Sequence, residues 1–102
     1  MSAASDPLAL DEVIHAPRRL AICAFLQRLD ETEFAVVRDA LRISDSALSK
    51  HLAVLSEAGY VVLEKRIGPG EARYRTWVRM TLLGRAAFRD HVAALRALVD
   101  GV

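Results

Sequence analysis

The chain is poor in the residues that crosslinks and metal centres need. It has a single cysteine, Cys23, so no internal disulfide can form and a metal site built on paired cysteines is excluded. Cys23 lies in an apolar segment and reads as a small buried hydrophobe. The three histidines, His15, His51 and His91, are scattered, without the convergent spacing that zinc requires. A Gly-rich phosphate loop and a nucleophile elbow are both missing, and no residues group into a plausible triad. An enzyme is therefore not expected, and no cofactor is called for. No apolar run reaches the roughly 18 residues of a membrane span, so no membrane partner is expected. The start, Met1-Ser2-Ala3-Ala4-Ser5-Asp6-Pro7, lacks the basic and apolar regions of a signal peptide. A cytoplasmic location is the expectation. Charge is nearly balanced: 14 Lys and Arg against 13 Asp and Glu, for a net +1. Net charge alone does not announce nucleic-acid binding.

What is present describes a globular chain. Hydrophobic residues make up 53% and charged residues 26%, well away from a disordered composition. A length of 102 residues fits one domain over residues 1–102, with residues 1–6 expected to be disordered. Asp6-Pro7 suits a helix start, and Leu8, Leu10, Val13 and Ile14 give a short apolar helix that Pro17 interrupts. A second helix is expected from about Pro17 to Leu29, with Leu20, Ala21, Ala24, Phe25 and Leu29 inward. Asp30-Glu31-Thr32-Glu33 reads as a polar connection, and Phe34 to Leu41 as a third helix with Phe34, Val37 and Leu41 inward.

Arg42-Ile43 is then a tight turn, and Ser44 or Asp45 caps a fourth helix that stops at Gly59. Two short helices joined this way form a helix-turn-helix. Leu48, Leu52 and Leu55 define the inner face of the fourth helix. Ser46, Ser49, Lys50 and Ala53 lie opposite. Short outer residues let the backbone approach base edges, and Lys50 can donate to guanine or to phosphate. The helix start near Ser44 and Ala47 adds backbone donors and partial positive charge. His51, at the edge between faces, is expected to combine packing with a phosphate contact. An ordinary amphipathic helix would look similar, so the flanking segments matter.

Those segments supply a hairpin. Tyr60 to Ile67 reads as a strand, Gly68-Pro69-Gly70 as a turn, and Arg73 to Met80 as a second strand. Bases concentrate here: Lys65, Arg66, Arg73, Arg75 and Arg79 against Glu64 and Glu71. Lys65, Arg66, Arg73 and Arg75 flank the turn and could hold phosphates beside a helix in the major groove. The tip itself carries no base, and Trp77 reads as a packing residue.

Thr81 caps a last helix, about Leu82 to Val99. It is apolar on two sides: Leu83, Ala87, Ala94 and Leu98 form one row, and Phe88, Val92, Leu95 and Val99 another. A small domain has little core to cover both, and surplus apolar surface marks an oligomer contact. A twofold dimer through Leu8, Leu10, Val13, Ile14, Phe88, Val92, Leu95 and Val99 is expected. The fold class is thus mainly α with a small antiparallel β-hairpin, a winged helix-turn-helix with terminal helices for dimerisation.

Four segments carry a resemblance: Ile14-His15-Ala16-Pro17-Arg18-Arg19-Leu20, Ser44-Asp45-Ser46-Ala47-Leu48-Ser49-Lys50-His51-Leu52, Glu57-Ala58-Gly59-Tyr60-Val61, and Thr81-Leu82-Leu83-Gly84-Arg85-Ala86-Ala87-Phe88. In this order and spacing the chain resembles winged-helix regulators of the ArsR/MarR-like group, in particular the short subgroup described as a winged helix DNA-binding domain. The resemblance implies homodimers on operator DNA, with the helix near Ser44 in the major groove. Ser46-Ala47 stands where similar sequences often have Gly-Asn, and Leu82-Leu83 where they tend to have Pro-Glu. The Cys pair of metal-sensing members is missing.

The expected function is sequence-specific binding of double-stranded DNA by a homodimeric regulator, a repressor. Ser44 to Ala58 would be the recognition helix and residues 65–75 the wing. Two such helices would sit about 34 Å apart. The alternative is a winged-helix protein-interaction module that binds no DNA. A small-molecule effector finds no support in the residues.

Overall fold

The computed structural model describes residues 9–101. Its elements are α1 (Glu12–His15), α2 (Pro17–Leu26), β1 (Thr32–Glu33), α3 (Phe34–Leu41), α4 (Asp45–Glu57), β2 (Val61–Arg66), β3 (Arg75–Met80) and α5 (Leu82–Asp100). The expected start at Asp6-Pro7, the disorder of residues 1–6 and the role of Leu8 lie outside the described residues.

Among the described residues the first helix is a single turn begun by Asp11. Its Oδ1 accepts the N–H groups of Val13 and Ile14 at 2.9 and 3.1 Å, as an N-cap should. Ala16 is extended because Pro17 follows, and Pro17 then opens α2. α2 ends at Leu26, not Leu29. The Arg85 side chain donates to the carbonyls of Gln27 and Leu29 at 3.0 and 2.7 Å, holding the turn that follows the helix.

The buried face of α2 differs from the expected stripe. Ile22, Cys23 and Leu26 are buried, while Ala21 and Ala24 are exposed and Leu29 lies at the surface. Leu20 to Leu26 is apolar all round, so spacing alone cannot choose a face; Leu20 and Phe25 of the expected stripe are half-buried against the same core. Burial pushes the Cys23 thiol up to about 12, which keeps it protonated and inert.

The segment read as a polar connection contains a strand. β1 pairs antiparallel with β3, Thr32 opposite Val78 and Glu33 opposite Trp77. The hairpin becomes a three-stranded sheet in the order β1-β3-β2. β2 and β3 pair from Val61 opposite Met80 to Arg66 opposite Arg75, so β3 begins two residues later than expected. The core unites Ile14, Ile22, Cys23, Leu26, Val37, Leu48, Leu52, Leu55, Val61, Val78 and Met80.

α5 is joined to the end of α4 by Thr81. Its Oγ1 accepts from the Gly84 N–H at 2.9 Å and donates to the Gly59 carbonyl at 2.6 Å. The inward row of α5 is Gly84, Ala87, Phe88 and His91, which matches neither expected row. One assignment to a dimer face is corrected: Ile14 is fully buried in its own protomer. Val13 and Phe88 are half-buried, each with one side against the same core.

His91 is 1% exposed. Its Nδ1 accepts the Asp11 N–H at 3.0 Å, so the ring proton sits on Nε2, which is buried without a partner. The His15 ring meets it edge-on, centroids 5.3 Å apart. Burial, then His15, hold the His91 pKa below its usual value, against the opposing pull of Asp11. A histidine that resists protonation when folded loses stability as pH falls below the unfolded value of about 6.5. The loss continues down to the folded pKa. His51 is shifted the same way and adds to it. Denaturant unfolding is expected to show falling stability below about pH 6.5. His91→Leu together with His51→Asn should flatten that slope. An unchanged slope in the double variant would remove these histidines as its source.

Candidate nucleic-acid interface

α3 and α4 are joined by three residues, Arg42, Ile43 and Ser44. Arg42 ends α3 in the left-handed region, φ 55° and ψ 47°, and the Ile43 N–H reaches back to the Arg38 carbonyl at 3.2 Å. Ser44 is then extended, and its Oγ accepts the Ala47 N–H at 3.1 Å. Of the two caps weighed from the sequence, Ser44 is the one used. Asp45 follows in the first turn, where negative charge suits the helix dipole. Arg38 holds the carboxylates of Asp39 and Asp45, each at 2.9 Å, and keeps the Asp39 carboxyl below its usual range.

Packing fixes which side of α4 faces out. Leu48, Leu52 and Leu55 are buried at 0–1% exposure. Ser46, Ser49, Lys50 and Ala53 are exposed, and Ala47 and His51 are half-buried. The outer face therefore presents small polar side chains and one lysine. Long polar side chains are absent from its first two turns except for Lys50, so the backbone can come close to a ligand.

His51 is oriented by its neighbour. The Arg19 guanidinium, which also donates to the Val13 carbonyl, approaches Nδ1 at 3.4 Å. Guanidinium can only donate, so Nδ1 accepts and Nε2 carries the proton. Burial, Arg19 and Arg18 all hold the His51 pKa down. It is a neutral donor at neutral pH.

The wing holds its basic residues in two different states. Lys65 and Arg73 are exposed, and no carboxylate among the described residues pairs with them. Arg66 and Arg75 depart from the expectation of free cations. Arg66 binds both carboxylate oxygens of Glu31 at 3.0 and 2.8 Å and Glu64 at 2.9 Å. It also stacks over Trp77 at 5.1 Å. Arg75 binds Glu33 at 3.2 Å and Glu71 at 2.9 Å. The acid at the wing tip is consumed as well, since Glu71 also accepts the Gly68 N–H at 3.1 Å. Arg66 keeps Glu31 and Glu64 ionised to below the usual carboxylate range. These arginines brace the sheet before they meet anything else.

Sequence reasoning also passed over Arg18, Arg19 and Arg42. Arg18 and Arg42 border one surface cleft with Pro17, Ala21, Leu41 and Ile43, beside the turn that launches α4. The signal was present in Arg18-Arg19 and in an arginine inside the helix-turn-helix turn, but neither spacing points to the other. No group of three His, Cys, Asp or Glu side chains among the described residues is placed to hold a metal. No described helix is long and apolar enough to cross a membrane.

A helix-turn-helix with an outward second helix, followed by a sheeted hairpin, defines a winged helix DNA-binding protein. The chain belongs to the winged helix DNA-binding domain family, whose model matches residues 18–99. It is 31% identical over 91 residues to an uncharacterized protein of Methanocaldococcus jannaschii, covering 89% of this chain and 97% of that one. It is similar to the solved structure of a transcriptional regulator homologue from Pyrococcus horikoshii, with a TM-score of 0.85 and 27% identity over 99% of this chain and 97% of that. HlyU from Vibrio cholerae matches at a TM-score of 0.61 and 25% identity, over 89% and 87% of the two chains. The expected kinship with winged-helix transcriptional regulators holds.

Proposed function

We propose that the protein is a cytoplasmic, homodimeric regulator that binds double-stranded DNA sequence-specifically and represses by occluding its site. The observation that carries this reading is the orientation of α4. Three leucines at 0–1% exposure anchor one face, and Ser46, Ser49 and Lys50 project from the other. That surface has the width and the donors to read base edges in a major groove. Occlusion asks nothing of the chain beyond tight binding.

The dimer rests on α5. Leu98 is 44% and Val99 76% exposed, and Val92 and Leu95 are half-buried. A second copy would cover this stretch. The two copies of α4 would then meet successive major grooves about 34 Å apart.

Lys50→Ala is expected to weaken binding to a selected operator by about 1–3 kcal/mol while leaving random duplex nearly unaffected. Titration of both duplexes checks this. An equal loss on both would reduce Lys50 to a phosphate contact. The neutralised arginines of the wing favour a second reading, an interaction module without DNA. Binding to mixed duplex that fails to appear even at low salt would select it.

A further inference from the structure

We propose that Arg18 and Arg42 together clamp one DNA backbone phosphate, and that this clamp supplies grip which the paired arginines of the wing do not. The inference rests on the DNA-binding reading above. The two residues come from different elements. Arg18 lies in the first turn of α2, and Arg42 is the left-handed residue that ends α3. Both border a cleft of about 330 Å³ whose other walls are Pro17, Ala21, Leu41 and Ile43. No acid lines that cleft.

The local charge balance favours an anion there. Among the described residues, neither Arg18 nor Arg42 has a carboxylate within salt-bridge distance. The acids nearest the turn in sequence, Asp39 and Asp45, are both occupied by Arg38 at 2.9 Å. Their charge is therefore answered before it reaches the cleft. α2 also begins without a side-chain cap, so its first free backbone donors add to the positive field.

Position selects the phosphate of DNA over a free anion. The cleft shares Arg42 and Ile43 with the turn that leads into Ser44, the cap of α4. A duplex that takes the outer face of α4 into its major groove must run its backbone past the start of that helix. Two guanidiniums offer planar, forked donors matched to phosphate oxygens. The clamp carries no sequence information. It sets the register in which Ser46, Ser49 and Lys50 meet base edges.

The test is a salt titration of full-length protein on a mixed-sequence duplex and on a selected operator, for wild type, Arg18→Gln/Arg42→Gln and Arg66→Gln. Among the described residues neither clamp side chain has a salt-bridge partner, and a thermal melt of each variant verifies folding. The double variant is expected to lose about tenfold in affinity equally on both duplexes. Its log–log salt slope should become shallower by about 0.9, one phosphate's worth. Arg66→Gln should leave the slope unchanged, because its charge is already answered by Glu31 and Glu64. Arg18→Lys/Arg42→Lys should keep the slope and lose only part of the affinity. A folded double variant with wild-type slope overturns the clamp and leaves the DNA reading standing. Wild-type protein that binds no duplex at low salt overturns both.

Discussion

Gly84→Ala is expected to destabilise the protein by about 3 kcal/mol, lowering the melting temperature by on the order of 15 °C. The residue sits in the first turn of α5, where alanine would normally gain about 1 kcal/mol in helix propensity. Here an added methyl would stand 2.1 Å from the Tyr60 carbonyl oxygen and 2.9 Å from its carbon. Ordinary contact is about 3.5 Å. The obstacle is backbone, and it is held in place, since the same carbonyl accepts the Thr81 N–H at 3.0 Å. Relief requires α5 to lift away from the end of α4. That movement strains the Thr81 bonds to Gly59 and Gly84 and uncovers the contacts of Ala87, Phe88 and His91. Thermal or denaturant unfolding measures the loss. A variant as stable as wild type would show that the junction is loose and that α5 is not fixed relative to α4.

Glycine at this position was visible in the sequence; its reason was not. The clash depends on Tyr60, 24 positions earlier in the chain, and only the packed junction brings the two together. The same division runs through the molecule. α3, α4 and the hairpin were legible because their signals are local: leucines spaced four and three apart, a serine cap, Gly59 at φ 83° and the Gly68-Pro69-Gly70 turn. β1 was missed because two residues cannot establish an alternation, and its strand character comes from β3. The inward face of α2 was misread because every face offered apolar residues.

The candidate site divides likewise. The outward set on α4 followed from its inward set. The state of the wing arginines did not, because their partners Glu31 and Glu33 lie 35 and 42 positions from Arg66 and Arg75. Charge counted along the segment showed a basic excess. Charge counted in space shows, among the described residues, Arg66 and Arg75 answered and Lys65 and Arg73 open. The cleft of Arg18 and Arg42 is the reverse case, two cations unremarkable in sequence that the fold sets on one opening.

Asp11→Ala is the second large effect, an expected loss of about 2–3 kcal/mol from two sources. The cap on Val13 and Ile14 contributes about 0.5–2 kcal/mol. The Tyr60 hydroxyl, bonded to Oδ2 at 2.6 Å, loses its acceptor in a half-buried position, a further cost of about 1 kcal/mol or more. The Asp11 N–H keeps its bond to His91, since alanine retains the backbone donor, so the substitution isolates the carboxylate. Tyr60 gives a spectroscopic check. Burial, then the bond to Asp11, push its phenol up to about 12, and the only other tyrosine, Tyr74, is exposed. Asp11→Asn should keep most of the cap and bring the Tyr60 titration down toward its ordinary value. A double-mutant cycle with Tyr60→Phe should then return a coupling of about 1–2 kcal/mol; a coupling near zero would mean the two groups do not share energy. The consequence reaches the DNA reading, because Asp11 ties α1 to the end of α4 through Tyr60 and to α5 through His91. If α5 sets the spacing of two recognition helices, loosening this hub should cost operator affinity beyond what the lost stability explains. Unchanged affinity in folded Asp11→Ala protein would confine Asp11 to holding the protomer together.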